Sequence, residues 1–449
     1  MRGKKLVSFL FATAFTGSFL LSGCTANEVT IKDKDENTIA LLDSFSEDNK
    51  NLTENEYKAY TETVIAEAVE IISEKNDCDE KEAESQILAG SYVIYTTFDS
   101  NIYESVKNAY ENSSASNSPF GCTVTDLQGN ICAIYSSSDE VNYATANLSP
   151  YSSIKPLSVY APAIEKGTAY WSKVYEDSPY KQVENEDGTK SDWPLNASET
   201  YSYENTDVYT AIKESLNTVA VKCLDESGVS ESISFLSEKF GFDLSYESQK
   251  ASQQGEEEVI GNIALGYLYE GVSTVDMAGC YQIFANTGIY YKPKTISKIC
   301  TENGSTVYVA EDNSERVIKE STACIMNQLL QGVVTPDGTG ADAQYASIPT
   351  AGKTGTGSAN DGNWFVGIVP EYSCAVWHGE GAEKNCSPEI FSEIMAGIEP
   401  DESKNFPVSA DVQSGIYCRE SGMLISDKCR EIETGHYVAD SVPGICNIH

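Results

Sequence analysis

Ser152 and Lys155 stand three residues apart in Pro150-Tyr151-Ser152-Ser153-Ile154-Lys155-Pro156. On a helix, positions i and i+3 share a face, with Cβ atoms roughly 5–6 Å apart. A hydroxyl and an amine held that way can serve as nucleophile and base. The hydroxyl needs an adjacent base to take its proton, and a lysine is that base only when partial burial or a second cation pulls its pKa down. Ser178-Pro179-Tyr180-Lys181 has the same spacing, so the surroundings must decide. After Ser152, residues Ile154, Leu157, Tyr160, Ala161 and Ile164 recur at helical intervals. Pro156 is tolerable only in a first turn, which puts Ser152 at or just before a helix N-terminus. There the free N–H groups and the macrodipole favour a developing oxyanion. Pro162 predicts a kink or break, at a cost near ~3 kcal/mol within a helix. Ser178 lies in a turn-like stretch without an apolar stripe and is the weaker candidate.

Two further groups of residues could complete such chemistry. Ser215-Leu216-Asn217 falls near the middle of a helix predicted over 209–224, where Ser and Asn cost helix propensity; they stand there for a reason other than helix stability. Lys353-Thr354-Gly355-Thr356 precedes two apolar runs, 363–369 and 373–377, around Pro370-Glu371, an antiparallel meander whose strands are buried on both faces. Elsewhere the periodicity predicts helices over about 54–75, 77–86, 101–112, 230–240, 264–287 and 321–333. Strands are predicted over 91–97, 290–299 and 305–309, with a hairpin, 122–125 and 131–135, around Gln128-Gly129-Asn130.

A formal charge of −38 excludes nucleic acid and anionic membrane surfaces as the main partner. With 449 residues, 41% of them hydrophobic, the chain can bury a substantial core. Arg2, Lys4 and Lys5 precede a mostly apolar run over 6–21, the pattern of a signal peptide. Leu21-Ser22-Gly23-Cys24 resembles the bacterial lipobox, which implies that Cys24 is lipidated and becomes the mature N-terminus. Each buried acyl CH₂ would contribute about 0.8 kcal/mol to anchoring. Of thirteen cysteines, those in apolar segments (Cys132, Cys223, Cys280, Cys324, Cys374) read as small buried hydrophobes. Cys418, Cys429 and Cys446 cluster in the tail as disulfide candidates. The three histidines, His378, His436 and His449, are too scattered in sequence to predict a zinc site, so no metal and no cofactor is expected.

Taken in order, Ser152-x-x-Lys155, Ser215-x-Asn217 and Lys353-Thr354-Gly355 resemble the signature motifs of the penicillin-recognising serine acyltransferases. From about residue 90 onward the chain is similar to the transpeptidase domain of class A penicillin-binding proteins. The similarity includes Tyr95-Thr96-Thr97-Phe98-Asp99, Trp193-Pro194-Leu195-Asn196, Phe284-Ala285-Asn286-Thr287-Gly288, Trp364-Phe365-Val366-Gly367 and the cysteine-bearing tail. It implies an α+β, serine β-lactamase-like fold: a central antiparallel sheet flanked by helices, plus an all-α lobe. It also implies roles. Ser152 becomes the acyl-enzyme, Lys155 takes its proton, Ser215 relays a proton to the leaving amine, and Asn217 orients Lys155 and the substrate amide. Lys353 keeps the cleft positive, Thr354 and Thr356 bind the substrate carboxylate, and Gly355 lets the substrate lie against the strand. The N–H groups of Ser152 and Thr356 form an oxyanion hole. The chain departs from the family at Tyr151 (usually Gly), at Gly362 (usually Asp, with Asp361 one step off) and at Pro162.

The expected organisation is a lipoprotein signal peptide over 1–23, a polar linker over 24–55 and a small helical and strand region over 56–112. A transpeptidase domain follows over 113–400, then a cysteine-containing tail over 401–449. The interval between Cys24 and Ser152 leaves no room for the glycosyltransferase domain of class A proteins. The expectation is therefore a lipid-anchored D,D-transpeptidase on the outer face of the cytoplasmic membrane. It would act on peptidoglycan stem peptides, bind β-lactams and depend on a separate glycan polymerase. A D,D-carboxypeptidase or β-lactamase using the same acylation, or a non-catalytic β-lactam-binding scaffold, are the alternatives.

Overall fold

The structure, a computed structural model, describes residues 28–42, 55–185, 187–357, 362–382 and 384–449. The signal peptide, Cys24 and Asp361 lie outside the described residues. The described residues form two compact units: those through Thr96 with Ile296–Ala310, and those of Thr97–Thr295 with Glu311–His449.

In the first unit a five-stranded sheet runs Thr306–Val309, Ile296–Thr301, Tyr92–Thr96, Val29–Lys32, Thr38–Leu42 in space. Within the linker expected over 24–55, residues 29–42 are corrected to a strand pair, and 24–27 and 43–54 lie outside the described residues. Val29 and Ile31, with Ala40 and Leu42, alternate inward, and Asp33 accepts from the N–H groups of Asp35 (2.9 Å) and Asn37 (2.8 Å) to turn the hairpin. The charged residues that made this segment read as linker are its turn and outer face. Helices Lys58–Asn76 and Glu80–Gly90 complete the unit, the second capped by Asp79, which accepts from Glu82 N–H.

The second unit is built on a fully antiparallel sheet, in spatial order Ala351–Thr356, Asn363–Ile368, Tyr372–His378, Phe120–Asp126, Ile131–Ser136. Every residue of Asn363–Ile368 is buried, because side chains alternate between two covered faces. Trp364, Val366 and Ile368 join one large core with Met277 and Tyr281 of helix Thr274–Ala285. Phe365 packs edge-on against Phe391 of helix Ser387–Ile398, ring centroids 5.1 Å apart. Helices Asn217–Ser227, Val229–Phe240, Ser245–Gln254 and Ile260–Leu265 form the α lobe, and their Val221, Leu224 and Leu236 share that core with Leu157 and Tyr160.

Two helices expected from periodicity are each divided. The 209–224 helix is Val208–Lys213 and Asn217–Ser227, because Ser215 takes a left-handed conformation at φ 59°. The 264–287 helix ends at Leu265, where Gly266 adopts φ 76°. It resumes at Thr274 behind a capping box in which Ser273 and Asp276 satisfy each other's backbone N–H. Pro162 acts as expected on helix geometry. A 3₁₀ turn, Tyr151–Ile154, passes into a π-helical turn, Pro156–Tyr160, closed by Ala161 N–H to Pro156 O. Pro162 then sits in the first turn of Ala161–Lys166, where its missing N–H costs nothing.

Candidate active site

Ser152 lies on the 3₁₀ turn and Lys155 ends it, so the two side chains leave one tight segment. That segment is pinned on both sides. Trp364 Nε1 donates to Ser149 O (2.9 Å), Ser153 Oγ to Pro150 O (2.6 Å), and Tyr281 Oη to Ser153 O. Lys155 is fully buried. Its Nζ lies 2.7 Å from Asn217 Oδ1 and 2.9 Å from Ser215 O, with Leu216 O further off at 3.4 Å. Burial, and then the nearby charge of Lys353, hold the Lys155 amine well below the ordinary lysine range.

The break at Ser215 is what brings its carbonyl to Lys155. Leu216 N–H bonds Ala211 O (2.9 Å) and Ser215 N–H bonds Ile212 O (3.2 Å), closing the preceding helix around a left-handed residue. A glycine is usual at such a position; serine there costs on the order of 1 kcal/mol or more. Asn217 is fixed at both ends of its amide, since Nδ2 donates to Leu195 O at 2.8 Å while Oδ1 faces Lys155. Its backbone N–H donates to Asn196 Oδ1 (2.9 Å). Asn196 and Thr218 both donate to Asp177 Oδ1 (2.8 and 2.6 Å), and Ser202 N–H donates to Asp177 Oδ2 (2.8 Å). Burial pushes the Asp177 carboxyl up, but these hydrogen bonds outweigh it and hold the group below its usual range.

Lys353 is also fully buried, and burial lowers its amine to about 7. Thr354 Oγ1 donates to Thr339 Oγ1 at 3.0 Å. Thr356, at the end of the strand, has its hydroxyl 3.1 Å from Asn385 Nδ2, which is equally close to Gly355 O. Gly355 faces the nucleophile turn so closely that an added Cβ would stand 2.5 Å from Pro150 O. The structure thus brings Ser152, Lys155, Ser215, Asn217, Lys353, Thr354, Gly355 and Thr356 onto three converging elements. The rival pair comes apart: Lys181 pairs with Glu257 (2.9 Å), and Ser178 receives a hydrogen bond from Lys222 (2.8 Å).

Asp177, Thr339 and Asn385 were not singled out from sequence. Gly338-Thr339-Gly340, a turn signal shortly before Lys353, could have flagged Thr339. Asp177 and Asn385 carry no local signal, because each acts through contacts made across the fold.

The two departures at the site explain each other. Tyr151 holds φ 49°, a conformation glycine adopts without strain. Its N–H bonds Gly266 O (3.2 Å), and its ring packs edge-on against Tyr267 at 5.5 Å. A Cβ on Gly362 would meet Tyr151 Cε2 at 3.0 Å and Trp377 Nε1 at 3.1 Å. The Tyr151 ring therefore fills the space that a side chain at 362 would need. Gly362→Asp alone is expected to lower thermal stability, through a clash of about 1–3 kcal/mol. Combining it with Tyr151→Gly is expected to restore most of that loss. Additive effects in the four-protein cycle would contradict the coupling.

The mixed fold thus carries a buried lysine behind a serine at a helix start, faced by a Lys-Thr-Gly strand. The family model of the penicillin binding protein transpeptidase domain matches residues 110–396, and the chain belongs to that family. Penicillin-binding protein 1A of Clostridium acetobutylicum is 30% identical over 371 residues, covering 76% of this chain and 44% of that protein; the chain spans less than half the length of this curated relative. Among solved structures, penicillin-binding protein 1A from Haemophilus influenzae superposes with a TM-score of 0.69 at 16% identity, covering 87% of this chain and 77% of that one. The D,D-transpeptidase domain of a peptidoglycan glycosyltransferase from Eggerthella lenta gives 0.61 at 20% identity, covering 83% and 98%. These likenesses show the fold, and with it the expected central antiparallel sheet, flanking helices and α lobe.

Proposed function

We propose that the protein is a serine D,D-transpeptidase that cross-links peptidoglycan stem peptides through a Ser152 acyl-enzyme. The observation that carries this is Lys155, a fully buried amine with a lowered pKa on the same turn as Ser152. Its two short hydrogen bonds, to Asn217 Oδ1 and Ser215 O, use both hydrogens of a neutral amine and leave the lone pair for the Ser152 proton. Ser152 Oγ then attacks the carbonyl between the two terminal D-alanines, and N–H groups of Ser152 and Thr356 stabilise the oxyanion, about 3–4 kcal/mol per donor in other enzymes. The carbon–nitrogen bond breaks, with Ser215 relaying the proton from Lys155 to the departing D-alanine. Lys353, Thr354 and Thr356 hold the terminal carboxylate. The amine of a neighbouring stem peptide attacks the ester, releases Ser152 and completes the cross-link.

One further part rests on sequence: Leu21-Ser22-Gly23-Cys24 supports anchoring through lipidated Cys24 at the outer face of the membrane. Among the described residues no helix is long and apolar enough to cross a membrane.

The test supplies a stem pentapeptide with and without an amine acceptor and follows both release of D-alanine and the transferred product. Transfer dominating over hydrolysis when acceptor is present is the expected result. Release of D-alanine only to water marks a carboxypeptidase, and rapid turnover of penicillin marks a β-lactamase; either contradicts the proposal.

A further inference from the structure

The C-terminal hairpin, Val412–Cys418 paired with Ile432–Val438, contributes nothing to the site above, yet it assembles a second group of chemistry-bearing side chains. The sulfurs of Cys418, Cys429 and Cys446 and an imidazole nitrogen of His449 all lie within 4.8 Å of one another. Taken against the other histidines, His449 looks isolated in sequence. Its neighbours in the fold are cysteines, which the sequence reading assigned to disulfides.

We propose that Cys418, Cys429, Cys446 and His449 form a structural zinc site. Three thiolates and one imidazole are a closed donor set for zinc. Sulfurs on a tetrahedron of about 2.3 Å Zn–S bonds lie roughly 3.8 Å apart, so each pair has to close by no more than about 1 Å. The backbone already presents each donor. Cys418 opens a tight turn, its N–H bonding Met423 O (2.8 Å) and its carbonyl accepting from Gly422 N–H (2.8 Å), with Gly422 at φ 69°. Cys429 Sγ accepts from Ser426 N–H at 3.3 Å, which holds the sulfur on the inner side of its turn. Cys446 N–H bonds Leu424 O at 2.7 Å. Glu420 Oε2 lies 3.0 Å from His449 Nε2, the carboxylate partner that commonly orients a metal-bound imidazole and leaves its other nitrogen to ligate.

The tail is anchored on one face only: Tyr417 and Tyr437 are buried in the large core, while Ile416, Ile432 and Ile445 on the other side are 45%, 49% and 67% exposed. A disulfide would use two of the three sulfurs and leave the third, with His449 and Glu420, without a role; all three cysteines carry free thiols in the structure. What the ion would hold is the docked turn. Gly422 O accepts from Ser172 Oγ (2.6 Å), and Tyr417 Oη donates to Asp207 Oδ2 (2.8 Å). Asp207 in turn caps the helix that ends before Ser215.

The test measures metal content and free thiols of the full chain purified without chelator, with no substitution needed. About one zinc per chain, with all three tail thiols recovered after denaturation in chelator, is the expected result. Cobalt(II) added to the metal-stripped protein should give thiolate charge-transfer absorption with tetrahedral ligand-field bands. Glu420→Gln, an exposed change outside the donor set, should weaken zinc binding about 10–100-fold. Protein free of zinc, with two tail thiols consumed in a disulfide and no cobalt spectrum after reduction, overturns the proposal. Zinc that is retained with unchanged affinity in His449→Ala overturns the donor assignment.

Discussion

Replacing Lys155 with methionine is expected to lower the second-order rate of Ser152 acylation by penicillin by about 10²–10⁴-fold, the range general bases contribute. Methionine keeps the length of the buried stem, so the loss reports the amine. It also leaves Asn217 Oδ1 and Ser215 O without their 2.7 and 2.9 Å donor, at about 1–3 kcal/mol of stability; unfolding must be followed beside the rate to separate the two. The wild-type pH profile carries the same claim. Burial, then Lys353, lowers the Lys155 pKa, so the base is lost as pH falls through that lowered value and acylation rises with pH on this limb. Lys353 discharges above about 7, which removes the cation facing the substrate carboxylate, so acylation falls again on the alkaline side. Lys353→Ala should flatten the alkaline limb and, by removing a neighbouring positive charge, shift the acidic limb to higher pH. Stability moves the other way: between about 7 and an unfolded value near ~10.4 the unfolded chain binds the extra proton, so Lys353 makes folding more favourable as pH rises.

Ser152→Ala is expected to remove covalent penicillin labelling altogether, a loss on the order of 10⁶ when a serine nucleophile is deleted elsewhere. The change is small and local. Ser153, not Ser152, carries the hydroxyl that braces Pro150 O, so the variant should unfold at the wild-type temperature. Labelling is followed by fluorescence after denaturing electrophoresis, and Ser178→Ala serves as the control that should label normally.

The site was legible in sequence where chemistry depends on residue type at fixed local spacing. Ser152 and Lys155 share one turn, and Lys353, Thr354 and Gly355 share one strand. It was illegible where a long-range contact overrides propensity. The periodicity over 209–224 reads as one helix, since the only signal for a break is the poor helix propensity of Ser215 and Asn217. The carbonyl that Lys155 requires comes from breaking the helix at that point. Charged residues 33–37 read as linker because a turn and an exposed edge have the same composition. Asp177 anchors Asn196 and Thr218 from far along the chain, and nothing local marks it. The tail shows the same limit, since residues 418, 429, 446 and 449 converge only through a hairpin and a tight turn.

The central claim is that this chain forms an acyl-enzyme on the serine backed by Lys155. The direct measurement is mass spectrometry of the wild-type protein after reaction with a penicillin, intact and then digested. One adduct of the intact antibiotic's mass, mapped to the peptide bearing Ser152 and persisting for many minutes, is the predicted result. An adduct mapped to Ser178 or any other residue, or a folded protein that takes up none, would contradict it.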